Sequence, residues 1–230
     1  MAVSFSQENG KAMIRPETKE LLRALADPWP ETKPDICPST SAWFHAAHKR
    51  VFTRLLNKHP EGLYLEIGTW TGSGSTKFVA DRFPAMSLIC IDTFKGSVEH
   101  QRKDVWAKIA ANLWEHFCGN HWENKERIYP MKSTSVLAME KLALHGIAPD
   151  FVYIDGAHDA DSVYADVATA VELFPKAIII GDDYTLPGKG YQGIYTGLRR
   201  AIVNNVFPES EFKNDKRVWW LTRNTRILKG

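Results

Sequence analysis

The chain has 230 residues, 44% hydrophobic and 24% charged, enough for one core-bearing domain and too few for two full ones. Its 29 basic and 27 acidic residues are interspersed, and a net charge of +2 excludes the basic footprint of a nucleic-acid-binding protein. No run approaches the ~18 apolar residues of a membrane helix, and Met1 to Lys19 lacks the apolar core of a secretory signal; a cytoplasmic protein with no membrane partner is expected.

After a polar tail, Thr18 to Leu25 reads as helix, and Pro28, Pro30, Pro34 and Pro38 punctuate a connection that cannot be helical. Ser39 to Asn57 resumes a helical period, with Phe44, Ala47, Val51, Phe52 and Leu55 at spacings of three and four. Residues 1–60 are therefore expected to form a helical appendage and 61–230 the main domain. From Gly62 onward short apolar runs alternate with helical stretches. Strands are expected at about 63–67, 87–91, 127–131, 150–155 and 177–181, with closing strands near 209–213 and 217–222. Helices are expected at about 74–82, 103–118, 134–145, 159–173 and 191–205. Runs such as Ala177-Ile178-Ile179-Ile180 are apolar without alternation, as strands covered on both faces are. The fold class expected is α/β: a Rossmann-like, doubly wound sheet of about seven strands, mostly parallel with an antiparallel last strand. Cys37, Cys90 and Cys118 are odd in number and widely spaced, which argues against disulfides and zinc.

In such sheets ligands bind beyond the carboxyl ends of the strands, where the strand order reverses. The acids of this chain gather at those ends: Glu66 on the first strand, Asp92 on the second, Asp155 on the fourth, Asp182 and Asp183 on the fifth. Any one of them alone reads as a turn or cap residue. Gly68 and Gly72 open a turn after the first strand, but G-x-G-x-x-G is absent and with it the main support for a dinucleotide dehydrogenase. Asp92, at the end of the next strand, is placed to accept both hydroxyl protons of a ribose. Asp155, Asp182 and Asp183 would repel one another unless a cation sat between them, and an all-oxygen set favours Mg²⁺, with Mn²⁺ or Ca²⁺ as alternatives. Adjacent residues on a regular strand face opposite ways, so Asp182 and Asp183 reach one ion only if the strand has already broken.

Four segments, Glu66-Ile67-Gly68-Thr69-Trp70, Ile91-Asp92-Thr93-Phe94-Lys95-Gly96, Ile154-Asp155-Gly156-Ala157-His158 and Gly181-Asp182-Asp183-Tyr184, fall in order across residues 60–222. In these the chain resembles the class I S-adenosylmethionine-dependent methyltransferases, nearest the branch of macrocin-type sugar O-methyltransferases and cephalosporin-hydroxylase-like proteins. The resemblance implies that Glu66, Gly68, Thr69 and Gly72 shape the methionine end of a cofactor pocket and that Asp92 holds the ribose. Lys132-Ser133 stands where the wider superfamily often has an acid at adenine, which makes Ser133 the candidate there. It also implies a general base, His158, taking the acceptor hydroxyl proton beside Asp155 and the metal.

The expected activity is metal-dependent methyl transfer from S-adenosylmethionine to a hydroxyl of a sugar or glycosylated small molecule. A catechol-like or other vicinal-diol acceptor is the alternative within the enzyme class, and an inactive cofactor-binding partner module the alternative outside it. The segment Tyr184 to Gln192, with Pro187, Gly188 and Gly190, suits a loop closing over substrate or an inert surface loop. Trp106, Trp114 and Trp122 are expected to pack in the core rather than against a sugar ring. The N-terminal segment could cover the site or pair subunits into a homo-oligomer.

Overall fold

The computed structural model describes residues 6–8, 11–36, 43–96, 104–185, 187 and 191–222. A short hairpin, β1 (Ser6–Glu8) and β2 (Lys11–Met13), precedes helix α1 (Pro16–Leu25) and helix α2 (Ala46–Leu56). Then come β3 (Leu63–Ile67), α3 (Ser75–Arg82), β4 (Ser87–Asp92), α4 (Asp104–Ala110), α5 (Leu113–His121) and β5 (Ile128–Lys132). The chain continues through α6 (Ser135–Leu144), β6 (Phe151–Ile154), α7 (Ala160–Leu173), β7 (Ile178–Gly181) and α8 (Gln192–Val203) to the hairpin β8 (Phe212–Asp215) and β9 (Val218–Leu221).

Seven strands form one sheet in the order β5-β4-β3-β6-β7-β9-β8. The first five pair in parallel, and β9 runs antiparallel to both β7 and β8. The strand order reverses between β3 and β6, which opens a crevice at their carboxyl ends. Alternate strand residues feed two cores. Leu63, Leu65, Ile67, Val152, Ile154 and Ile179 face α1, α6, α7 and α8. Tyr64, Leu88, Cys90, Tyr153 and Ile180 face α2, α3 and α5.

The segment before residue 61 supplies one helix to each core. Leu22 of α1 joins the first, and Val51, Phe52, Leu55 and Leu56 of α2 join the second. The edge strand β5 carries Pro130, tolerable there because an edge need not donate every N–H. The chain after α1 covers that edge: Asp27 N–H donates to the Pro130 carbonyl at 2.8 Å, and the Trp29 indole donates to the Ile128 carbonyl at 3.3 Å.

Several boundaries differ from those expected. The polar tail contains the β1–β2 hairpin, and α1 begins two residues early because Pro16 suits the first helical turn. Of the helix expected from Ser39, residues 39–42 lie outside the described ones; α2 starts at Ala46, behind His45, whose extended backbone and side chain cap it. The stretch 103–118 divides into α4 and α5 about Ala111 and Asn112, which lets Phe117 turn into the core. Residues 209–211 form a 3₁₀ turn after Pro208, and β8 starts only at Phe212. Trp114 packs on the second core and Trp122 against Trp29, whereas Trp106 pairs with Trp43 and Trp70.

Phe52 is wholly buried and packs edge-on against Tyr153 at 4.9 Å between ring centroids. Phe52→Ala is predicted to cost about 3–5 kcal/mol of stability, read as a lower midpoint in urea unfolding.

Candidate functional site

Strand β3 ends in a turn whose backbone leaves no room for side chains. Gly68 has φ +84°, and a Cβ there would overlap the Asp155 carbonyl. Gly72 has φ +70°, and a Cβ there would run into the His121 ring. Trp70, between them, is also left-handed at φ 52°. That conformation is costly for a bulky residue and persists where surroundings enforce it. Asp92 enforces it: Oδ2 accepts the Trp70 N–H at 2.9 Å, and Oδ1 accepts the N–H of the second left-handed residue, Phe94, at 2.8 Å. From the other side α5 braces the turn. His121 Nε2 meets the Gly72 carbonyl at 2.9 Å, and Asn120 Nδ2 donates to the Thr71 carbonyl at 2.8 Å. Burial pushes the His121 pKa down to about 4, so the ring is neutral and donates through Nε2.

Glu66 is fully buried beneath the turn. Its Oε1 accepts from Ser75 Oγ at 2.6 Å and Thr76 Oγ1 at 3.0 Å, which ties the first turn of α3 to β3. Burial raises its pKa to about 7 against those two hydroxyl bonds.

A cavity of about 370 Å³ lies over the crevice. It runs from Gly68 and Asp155, past Asp92 and Thr93, to Ser133, Thr134 and Ser135. Gly68, Asp92, Ser133 and Asp155 thus meet around one space. Glu66 and Gly72 are not among its lining residues and support the turn from behind, while Thr69 faces a smaller neighbouring cavity. Sequence reading missed one acid of this cavity, Asp166. It interrupts the buried stripe of Val163, Val167 and Ala170 on α7, and an acid within an apolar helical stripe was the available signal.

The other acids gather beside Asp155, which lines the main cavity and both smaller ones. Strand β7 stops at Gly181, and Asp183 turns left-handed at φ 57°, so the break that would let both aspartates face one side is present. Asp155, His158 and Asp183 place ligand-capable atoms within 4.8 Å of one another. His158 Nε2 lies 3.1 Å from Asp183 Oδ2, its ring stacks on Tyr191 at 4.0 Å, and Arg217 ion-pairs with the other Asp183 oxygen. Asp182 is held differently: its Oδ2 accepts from His48 Nε2 at 2.8 Å, with the Tyr153 hydroxyl at 3.4 Å. The same hydroxyl reaches Asp155 Oδ2 at 3.2 Å. His48, buried on α2, is a further residue that sequence reading missed, because nothing in its local pattern points across the fold to Asp182.

The donor set fits a divalent cation. Burial, and next the charge of Asp182, drive the Asp155 pKa well above the usual carboxylate range, which marks a spot short of positive charge. Of the segment Tyr184 to Gln192, Gly188 and Gly190 lie outside the described residues.

Glu66 makes stability pH-dependent. Between the unperturbed 4.5 and about 7 the folded state binds a proton that the unfolded chain lacks, so stability falls as pH rises through that window. Glu66→Gln is predicted to abolish this fall, leaving the variant more stable than the parent by up to about 3 kcal/mol at pH 8 and nearly equal to it at pH 4.5. Melting temperatures across that range check it.

A model of the methyltransferase-domain family matches residues 65–184. No significant match is found among curated protein sequences. Among solved structures, CalS11, a calicheamicin methyltransferase, aligns over 94% of this chain and 94% of its own, with 14% identity and a TM-score of 0.51. MycE, a methyltransferase of the mycinamycin biosynthetic pathway solved with Mg, SAH and mycinamycin VI, aligns over 82% of this chain with 18% identity and a TM-score of 0.50. The chain spans about half, 51%, of the length of MycE. At these identities the two structures speak for the fold. The family match opens inside β3 and closes one residue beyond Asp183, enclosing every residue that lines the main cavity over more than half of the sequence, and the chain therefore belongs to the methyltransferase-domain family.

Proposed function

We propose that this chain transfers a methyl group from S-adenosylmethionine to a hydroxyl of a sugar or glycosylated small molecule, assisted by a divalent cation. The observation that carries the reading is the position of Asp155, at the junction between the glycine-turn cavity and the acid and histidine cluster. Donor and acceptor chemistry would meet there. Three acids, Asp92, Asp155 and Asp166, line the main cavity, a field suited to a cationic sulfonium. Each Asp92 oxygen already accepts one backbone N–H and keeps a lone pair for a ribose hydroxyl.

Methyl transfer is a displacement: the acceptor oxygen bonds to the methyl carbon, the carbon–sulfur bond breaks, and the sulfonium becomes a neutral thioether. The protein's task is alignment and removal of the hydroxyl proton. His158 would take that proton, with Asp183 against Nε2 stabilising the imidazolium. Asp155, Asp182 and Asp183 would hold the cation, which when bound lowers the pKa of an acceptor hydroxyl toward that of histidine. The magnesium in the MycE structure supports the assistance of a divalent cation. Trp43, Phe44 and Trp70 line the smaller cavity that Asp155 and Asp182 share, and such aromatic faces suit a ring-bearing acceptor.

Transfer of labelled methyl to a panel of nucleotide sugars, glycosylated macrolides and catechols tests the reading. Transfer to the glycosyl acceptors, lost on chelation and restored by Mg²⁺, is expected; transfer to catechols alone overturns the sugar assignment. His158→Ala is predicted to lower turnover by ~10²-fold or more with S-adenosylhomocysteine binding intact. Asp182→Ala is predicted to abolish turnover while cofactor binding, read by calorimetry, largely persists. Equal loss of both would remove the metal role.

A further inference from the structure

We infer that His48 is a positioning residue for Asp182: it holds that carboxylate toward Asp155 before any cation arrives, and so sets how tightly the cluster takes one. The inference rests on the cation reading above. The backbone of Asp182 is already fixed, since its N–H donates to the Ile154 carbonyl at 3.2 Å and its carbonyl accepts the Trp219 indole N–H at 3.2 Å. Only the carboxylate remains to be placed. Oδ1 accepts the N–H of the next residue, Asp183, at 2.6 Å, a contact that still allows the group to pivot about that oxygen. Oδ2 accepts from His48 Nε2 at 2.8 Å, 134 residues away in the chain, and this second contact stops the pivot. A restraint is needed there, because the charge of Asp182 adds to burial in raising the Asp155 pKa, so the two carboxylates repel. The Tyr153 hydroxyl lies 3.2 Å from Asp155 and 3.4 Å from Asp182, but it has one hydrogen for the two. Left free, the carboxylates would part, and each arriving ion would have to bring them together again.

The imidazole is set to donate in that one direction. The His45 N–H meets His48 Nδ1 at 3.1 Å, so Nδ1 accepts and the ring hydrogen lies on Nε2, facing Asp182. Phe44 packs against the ring at 5.1 Å between centroids, and His48 is only 2% exposed. Phe44 and Asp182 line the same small cavity as Asp155. His48 shares the buried face of α2 with Val51, Phe52 and Leu55. A position needed for packing alone would carry another such side chain, because a buried imidazole is costly unless its nitrogens are bonded. Here each nitrogen has a partner, and the one reached across the fold is the acid. Groups that hydrogen-bond a ligating carboxylate from behind typically carry about 10- to 100-fold of metal affinity.

Two substitutions separate the acid contact from the helix contact, and calorimetric titration of the full chain with Mn²⁺ reads them without acceptor or turnover. His48→Gln places an amide N–H where Nε2 stands and keeps the donor to Asp182. His48→Asn places its amide where Nδ1 stands, so it can still accept the His45 N–H but falls short of Asp182. The Asn variant is expected to bind Mn²⁺ about 10-fold or more weakly than the parent, and the Gln variant to come within a few-fold of it. S-adenosylhomocysteine is expected to bind all three alike. A role in packing or in capping α2 would make the Asn variant the milder one or leave the two equal, and either result overturns the inference. Should the Asn variant not fold, ¹⁵N spectra of the parent's histidine rings decide: His48 is expected to show the Nε2–H form and to shift on saturation with Mg²⁺, while exposed His145 does not. A His48 signal indifferent to Mg²⁺ overturns the inference. Mn²⁺ affinity lost in Asp182→Ala but unchanged in folded His48→Asn overturns it while the cation reading stands. A parent that takes up no Mn²⁺ removes both.

Discussion

The site depends on one close approach, between the backbone of Gly68 and the carbonyl of Asp155. Strands β3 and β6 are neighbours in the sheet, and the Asp155 N–H donates to the Ile67 carbonyl at 2.9 Å. The chains must then separate at once, one turning into the glycine loop and the other toward α7. Only a residue without a Cβ can make that turn at φ +84° against a carbonyl. The separation sets the crevice floor, places Asp155 on the wall of all three cavities, and leaves Trp70 in a left-handed conformation that the Asp92 clamp holds.

Around that floor the protein gathers four acids whose pKa values are all raised, chiefly by burial: Glu66, Asp92, Asp155 and Asp166. They are compensated to different degrees. Glu66 has two hydroxyl donors and Asp92 two backbone N–H groups, so both are parts of the frame as well as of the field. Asp155 has the Tyr153 hydroxyl and, facing it, the like charge of Asp182. The negative potential is thus least relieved at the junction where a sulfonium methyl and an acceptor oxygen would meet, which is where a cationic transition-state partner gains most.

Much of this was legible in the sequence because it rests on local patterns. Apolar runs such as Ile178-Ile179-Ile180 give the strands, and the acids at their ends mark the crevice before any contact is known. The glycines are legible because few other residues accept those backbone angles. Side chains whose role is set by distant partners were not. His121 reads as one more residue of a helix until α5 is laid against Gly72, and His48 as one more residue of α2 until that helix is laid against Asp182. The boundary at Phe212 escaped for a local reason: Glu209-Ser210-Glu211 has no apolar residue to show a period, and after Pro208 these three form a 3₁₀ turn before the strand begins.

His48 shows how the N-terminal segment reaches the acid cluster as well as the core. Its Nδ1 lies 3.1 Å from the His45 backbone N–H, an arrangement that requires Nδ1 to be the acceptor and leaves the ring proton on Nε2. That nitrogen therefore donates to Asp182 Oδ2, while the Asp183 N–H donates to Asp182 Oδ1 at 2.6 Å. Asp182 is gripped through both oxygens, by α2 on one side and by its own turn on the other. Asp183 is gripped by His158 and Arg217. The two neighbouring acids are thus fixed by opposite halves of the chain, and the arrangement around Asp155 forms only when α2 is docked on its face of the sheet. Docking is driven by Val51, Phe52, Leu55 and Leu56, so the apolar burial that completes the second core is the same event that orients Asp182.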